Sequence, residues 1–248
     1  MKIATWNVNG IRARQAQFAE WVEADRPDVI CLQELKAAAD KIPEQLTELP
    51  GYYNYWHGSG GYSGVSLHLR HDAFDEPPLF DHPDFDFENR MVQATIGNLT
   101  IASIYVPNGG KNFEDKLRFI AALQEYTAIA HAAGRDLILC GDMNVTRTEQ
   151  DVHPSERKVV IGQLPDERRL FEAVMQDRLV DVGRTLDPDN DRLFTWWAPW
   201  RQMRQRNIGW RIDYILASHA IAQTASACEV FRETGTSDHA PVIATLDL

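Results

Sequence analysis

The sequence predicts an α/β fold in which two mixed β-sheets pack face to face with helices outside. Three observations lead there. Strand-length apolar runs rich in Val, Ile, Tyr and Thr recur along the chain, bounded by Gly, Pro or Asn. Helical patterns are interleaved among them. Tight hairpin turns and longer strand–helix–strand crossings both occur, so strands run in both directions.

In chain order, 2–6 (KIATW) reads as the first strand and 11–25 as a helix that stops before Pro27. Strands follow at 28–34 (DVICLQE), 52–56 (YYNYW) and 62–69 (YSGVSLHL). The runs 91–96 and 99–106 flank Gly97-Asn98, a hairpin signal. Over 114–133, Phe119, Leu123, Tyr126, Ala130 and Ala133 fall on one helical stripe that Gly134 ends. DLILCGD (136–142) is the next strand. A third helix opens at Pro165-Asp166, where proline suits the first turn and acids meet the positive end of the helix dipole. Strands at 211–218 and 241–248 complete the pattern.

The chain has 248 residues, 44 % hydrophobic and 25 % charged. That is enough to bury a large core and excludes a disordered chain; one domain over 1–248 is expected. No apolar run approaches the ~18–20 residues of a membrane helix, and MKIATWNVNG lacks the apolar stretch of a secretory leader. A cytoplasmic monomer is the expectation. Cys31, Cys140 and Cys228 sit far apart inside apolar runs, which suits packed, reduced thiols and not a zinc cluster. The net charge of −11, taken alone, argues against a polyanionic partner.

The chemistry lies at strand ends. Asn7 and Asn9 follow the first strand, Glu34 ends the second, Asp142 and Asn144 close DLILCGDMN, Asp213 stands beside Trp210 in WRIDY, and Asp238 and His239 precede the last strand. Any one of these reads as a cap or turn residue. Five such points together read as a site built on a rigid scaffold. Carboxylates and amides without cysteine are hard oxygen ligands suited to Mg2+ or Mn2+. An imidazole with a carboxylate partner adds a charged donor or a base. The set fits metal-assisted phosphodiester hydrolysis, in which positive groups neutralise phosphate oxygens and a carboxylate orients water for in-line attack.

Six segments in order, WNVNGIRA, LQELK, YVPNGG, GDMNV, NIGWRIDY and TSDHAP, resemble the exonuclease III family of apurinic/apyrimidinic (AP) endonucleases within the endonuclease/exonuclease/phosphatase superfamily. SDHxP and GDxN are shared with DNase I-like enzymes and other phosphoesterases, while NxGWRxDY and YVPNG are narrower. The resemblance implies a four-layered α/β sandwich and a Mg2+-dependent DNA-repair nuclease. Such an enzyme cleaves duplex DNA 5′ to abasic sites and carries 3′-phosphodiesterase and 3′→5′ exonuclease activity. It implies Glu34 as principal metal ligand, with Asn7 and Asp238 beside it and with Asp142, Asn144 and His239 also in reach of the metal. Asp142 would activate the attacking water and Asn144 orient it. His239, paired with Asp213, would contact the phosphate, and Tyr105 would contact it or tune the site. Asn108, Trp196, Trp210, Arg211 and Ile212 would meet DNA, the tryptophans and Ile212 forming a pocket for a flipped-out abasic sugar. Trp197 is expected in the core.

The chain departs from the family at Asn9, where Asp is common, and over 155–165 (SERKVVIGQLP). A relative acting on a lipid or inositol phosphate, and a catalytically dead nucleic-acid binder on the same scaffold, are the competing readings. The charge also has an address. Seven acids and no Lys or Arg lie within 72–88, while 2–19 carries Lys2, Arg12 and Arg14, and 201–211 carries Arg201, Arg204, Arg206 and Arg211. The 72–88 segment is therefore expected to face away from bound DNA and the basic stretches to face it.

Overall fold

The computed structural model describes residues 1–176 and 178–247. Its strands are β1 (Lys2–Asn7), β2 (Val29–Gln33), β3 (Tyr52–His57), β4 (Val65–Arg70), β5 (Leu79–Asp81), β6 (Met91–Ile96), β7 (Leu99–Tyr105), β8 (Asp136–Asp142), β9 (Leu179–Asp181), β10 (Asp213–Ser218), β11 (Ala225–Val230) and β12 (Val242–Leu246). They form two six-stranded sheets, ordered β11-β12-β1-β2-β4-β3 and β5-β6-β7-β8-β10-β9. Each sheet has one parallel pair, β1–β2 and β7–β8. A parallel pair needs a crossover, and the helices Ile11–Asp25 and Phe113–Ala132 supply the two.

Strand alternation sorts the apolar side chains into layers. Ile3, Val29, Cys31 and Leu67 of the first sheet meet Val92, Ile101, Ile138, Cys140 and Ile215 of the second in a shared core. On the outer face of the first sheet, Ala4, Trp6, Ile30 and Leu32 lie under Phe18 and Trp21 of the first helix. On the outer face of the second, Ile104, Leu137, Leu139 and Leu216 lie under Phe119, Ile120 and Leu123, and under Phe171 and Val174 of Pro165–Met175. The order is helix, sheet, sheet, helix, as the sequence predicts. Cys31 and Cys140 are buried free thiols, and Cys228 is a half-buried one.

Strands β5, β9 and β11 are absent from the sequence-based reading, and all three are sheet edges. β5 and β9 have three residues each, and β11 is half-exposed along its length. None offers the buried apolar run by which strands are recognised.

The topology gathers one end of the sandwich. β1, β2, β7 and β8 finish there and β10 begins there, with Asp213 paired opposite Asp142. One step below, a polar chain crosses between the sheets. Thr5 Oγ1 donates to Gln33 Oε1 (3.2 Å), Gln33 Nε2 to Ser103 Oγ (3.1 Å), and Ser103 Oγ to the Leu32 carbonyl (3.0 Å). Such a fully buried, satisfied network fixes one register of the two sheets beneath the site.

Candidate active site

Asn7 ends β1, Glu34 follows β2, Tyr105 ends β7, Asp142 ends β8 and Asp213 opens β10. Asn7, Asp142 and Asp213 continue the inward-facing rows of their strands, so their side chains converge between the sheets. Trp196 makes isolated bridges to both Trp210 and His239. The backbone bonds of 195–197 with Trp210 and with Asp238 and Ala240 seat the last motif against the first. Glu34 (φ 56°) and Asn144 (φ 51°) hold the left-handed conformation, as do Asn9 and Lys36. Each costs a non-glycine residue about 1–2 kcal/mol, and such strain concentrates at functional sites.

Asp142 is the hub. Its Oδ1 accepts from the Asn144 backbone N–H (2.8 Å), and its Oδ2 accepts from Asn7 Nδ2 (3.0 Å) and Asn144 Nδ2 (3.2 Å). His239 Nδ1 sits 2.9 Å from Asp213 Oδ2, and its Nε2 faces Asp142 Oδ2 at 3.8 Å. Asp238 is held from both sides, by Asn9 Nδ2 (2.7 Å) and by Trp196 Nε1 (2.9 Å). Lys36 Nζ bridges Asn9 Oδ1 (2.6 Å) and Glu34 (2.9 Å).

Burial and charge then set the protonation states. Burial pushes Asp142 up to about 7; the His239 charge opposes this and Asp213 adds to it. Burial works against a charged His239, but Asp213, Asp142 and Asp238 outweigh it and raise the imidazole to about 10. Burial would raise Asp238, but the His239 charge and the bonds from Asn9 and Trp196 hold it below the usual carboxylate range. Tyr105 is kept well above the ordinary phenol range by burial and by the nearby Glu34 and Asp142 charges. At neutral pH the site therefore offers an imidazolium and a neutral phenol.

One cavity of about 340 Å³ collects these groups. Its polar wall is Glu34, Tyr105, Asn108, Asp142, Asn144, Asp238 and His239, and its apolar wall is Ile161, Trp196, Trp210 and Ile212. Every residue given a site role from the sequence lines this cavity except Asn7 and Asp213, which stand behind Asp142 and His239, and Arg211. Arg211 is a correction. It is 4 % exposed, with Nε on Asp151 (2.7 Å) and both terminal nitrogens on Asp181 (2.9 and 2.6 Å). Its donors are spent on buried carboxylates, so it braces the sheet and cannot reach a ligand. Trp197 is buried, as expected.

The basic field is also thinner than the sequence suggests. Arg204 lies over the Trp197 ring and bonds the carbonyls of Arg232, Thr234 and Ser237. Lys2 opens β1 and so lies at the end of the sandwich opposite the site. Nor does all of 72–88 turn away. Phe87 and Glu88 line the groove that continues from the cavity past Glu34, Lys36 and Arg90. Glu88 is paired there with Arg90 (2.9 Å), which neutralises it.

Sequence reasoning missed Lys36, Arg90, Lys116, Ile161 and Gly162. Lys36 lies inside LQELK and was legible. Arg90 and Lys116 are isolated in sequence and carry no spacing signal. Gly162 (φ +93°) stands beneath Trp210, where an added Cβ would come within 2.7 Å of the indole. Gly162→Ala is expected to displace Trp210 and cost about 1–3 kcal/mol, read as a lower denaturation midpoint.

Known proteins share this architecture. The family described as Endonuclease/Exonuclease/phosphatase family matches residues 4–239. The exodeoxyribonuclease III of Haemophilus influenzae is 31 % identical over 264 aligned residues, 98 % of this chain and 99 % of that one. Recombination repair protein 1 of Drosophila melanogaster is 33 % identical, and this chain spans only 36 % of its length. Among solved structures, an AP endonuclease from Archaeoglobus fulgidus has a TM-score of 0.89 at 28 % identity, covering 100 % of both chains. A variant of the 3′ phosphatase NExo from Neisseria, bound to product DNA hairpin, has a TM-score of 0.89 at 31 % identity and the same coverage. The chain belongs to the Endonuclease/Exonuclease/phosphatase family.

Proposed function

We propose that this protein is a Mg2+-dependent DNA-repair nuclease that hydrolyses the phosphodiester 5′ to abasic sites in duplex DNA, with 3′-phosphodiesterase and 3′→5′ exonuclease activity. The observation that carries this reading is the two-sided cavity. A hydrolytic wall faces an apolar wall of Ile161, Trp196, Trp210 and Ile212, which suits a deoxyribose without its base. The relatives named above as an AP endonuclease, an exodeoxyribonuclease and a 3′ phosphatase support the same substrate class.

Around the cavity, Glu34, Asp142, Asp213 and Asp238 outnumber His239 and Lys36, and the free donors are oxygens. That donor set fits a hard divalent cation. Glu34 would hold it, with Asp238, Asn7 and Asn144 in support; Mn2+ would substitute. When bound, the cation supplies Lewis-acid polarisation of the phosphate. His239, charged and tied to Asp213, has no lone pair to offer a metal, so it serves as a phosphate donor. Its Nε2–H points into the cavity, where charge builds on the phosphate oxygens. Asp142 accepts the proton of the attacking water, and Asn144, locked by Asp142 and the Val106 carbonyl (2.9 Å), orients it. The Tyr105 hydroxyl, kept neutral, donates a hydrogen bond. Asn108 lies at the cavity mouth, and Trp200, 59 % exposed on the segment joining Trp196 to Trp210, offers a stacking face to DNA. A cytoplasmic monomer completes the reading. No helix among the described residues is long and apolar enough to cross a membrane.

Product analysis on matched duplexes bearing an abasic site, a 3′-phosphate or a blunt end tests this directly. Mg2+-dependent incision 5′ to the abasic site is expected, and an uncut abasic duplex would sink the reading. The pH profile tests the assignments. Activity needs Asp142 ionised and His239 protonated. It should therefore rise as pH passes through about 7, level off above it, and fall as pH passes about 10. Asp213→Asn removes the leading favourable charge on His239, so the alkaline limb should move toward neutral pH. An unmoved limb would assign it to another group.

A further inference from the structure

We propose that His57, His82 and Asp86 form a second cation site, for a first-row divalent ion of the Zn2+ type, separate from the catalytic carboxylates. The three come from different parts of the chain. His57 ends β3, His82 follows β5, and Asp86 lies in the connection to β6. One donor atom from each falls within 4.8 Å of the others. His57 Nε2 is 2.7 Å from Asp86 Oδ2, and the two imidazoles are stacked with centroids 4.6 Å apart and planes 17° from parallel.

Asp86 is pre-oriented for this role. Its Oδ1 accepts from the backbone N–H groups of Arg90 (2.7 Å) and Met91 (2.9 Å), which leaves Oδ2 turned to the imidazoles. Outer bonds of this kind fix metal-binding carboxylates. The loop is held in an uncommon shape, with Glu88 (φ 61°) and Asn89 (φ 56°) consecutively left-handed. His57 and Asp86 side chains are 13 % and 4 % exposed, while His82 is exposed and leaves a coordination position open to water. Two nitrogens and one oxygen favour Zn2+, Co2+, Ni2+ or Cu2+ over Mg2+. Donors on a tetrahedral Zn2+ stand about 3.3 Å apart, so His57 and Asp86 need to part slightly while His82 turns on its exposed bond.

The site has a mechanical consequence. Asp86 anchors Arg90, whose guanidinium lies 5.0 Å over the Tyr105 ring and beside Glu88 in the groove wall. A bound ion would brace that wall.

The test titrates Co2+ into the full chain in saturating Mg2+, by calorimetry and visible absorption. One equivalent is expected, with the intense bands of a low-coordinate Co2+ site. His82→Ala and Asp86→Asn should each weaken that binding at least about 10-fold, while Mg2+-supported hydrolysis by His82→Ala stays at the wild-type rate. Glu34→Gln, which disables the catalytic cation, should leave the Co2+ equivalent in place. The proposal is overturned if the chain takes up no Co2+ beside Mg2+, or if the His82 and Asp86 variants bind it as the wild type does.

Discussion

Asp142→Asn is expected to lower single-turnover cleavage of an abasic duplex by about 10³- to 10⁴-fold, the upper range of a lost general base, with duplex affinity changed only a few-fold. The geometry explains both halves. Asp142 lies 2 % exposed at the back of the cavity, so under the proposed mechanism it would touch the reacting water and little of a bound duplex. Its Oδ2 receives Asn7 and Asn144; an amide nitrogen in that place would face two donors. Under the proposed mechanism the substitution would thus remove the proton acceptor and loosen Asn144, the residue proposed to orient water. His239→Asn should cost about 10²- to 10³-fold, since it removes one charged donor from the developing charge. Fluorescence anisotropy on uncleaved duplex separates binding from chemistry. A fall under 10-fold for Asp142→Asn would move the base elsewhere.

The same residues show what a sequence can and cannot display. Asn7, Glu34, Asp142, Asp213 and His239 were legible because each lies at or just beyond the end of a buried strand, where a polar group is costly unless it has a purpose. The two long crossover helices were legible from periodicity and stop signals. The edge strands β5, β9 and β11 were not, because short or half-exposed pairing leaves no apolar pattern. Arg211 misled for a related reason. An arginine in a signature beside Trp210 looks like a phosphate contact, and only the fold brings Asp151 and Asp181, 60 and 30 positions away, onto it. Charge was the least legible property. The total of −11 says little about the cavity, and even the local count overstated its basic side, because Arg204, Arg211 and Lys2 are consumed inside the fold or at its far end. Of the basic stretches named from the sequence, Arg12, Arg201 and Arg206 remain exposed.

Lys116→Met is expected to destabilise the protein by about 3–5 kcal/mol, the cost of stranding a buried charge, and so to lower the melting temperature by roughly 6–20 °C for a chain of this size. Lys116 and Glu167 form an ion pair with no exposed surface on either side chain. Burial holds Lys116 below the ordinary lysine range even with Glu167 against it. The pair is placed to align both walls of the cavity. Lys116 Nζ donates to the Asn144 carbonyl (2.7 Å), and Glu167 Oε1 accepts from the N–H groups of Gly162 (2.5 Å) and Leu164 (2.9 Å). One end thus fixes the left-handed Asn144, and the other fixes the glycine under Trp210. Lys116→Met with Glu167→Gln separates the two functions. The neutral pair keeps an acceptor for Gly162 and Leu164, so most of the stability should return. The Asn144 carbonyl still lacks its donor, so cleavage should stay about 10- to 100-fold slow, the scale on which small misplacements of a reacting group are felt, with kcat and not KM carrying the loss. If the rate returns together with the melting temperature, Lys116 only supports the fold; if it does not, the buried lysine positions the residue that aims the water.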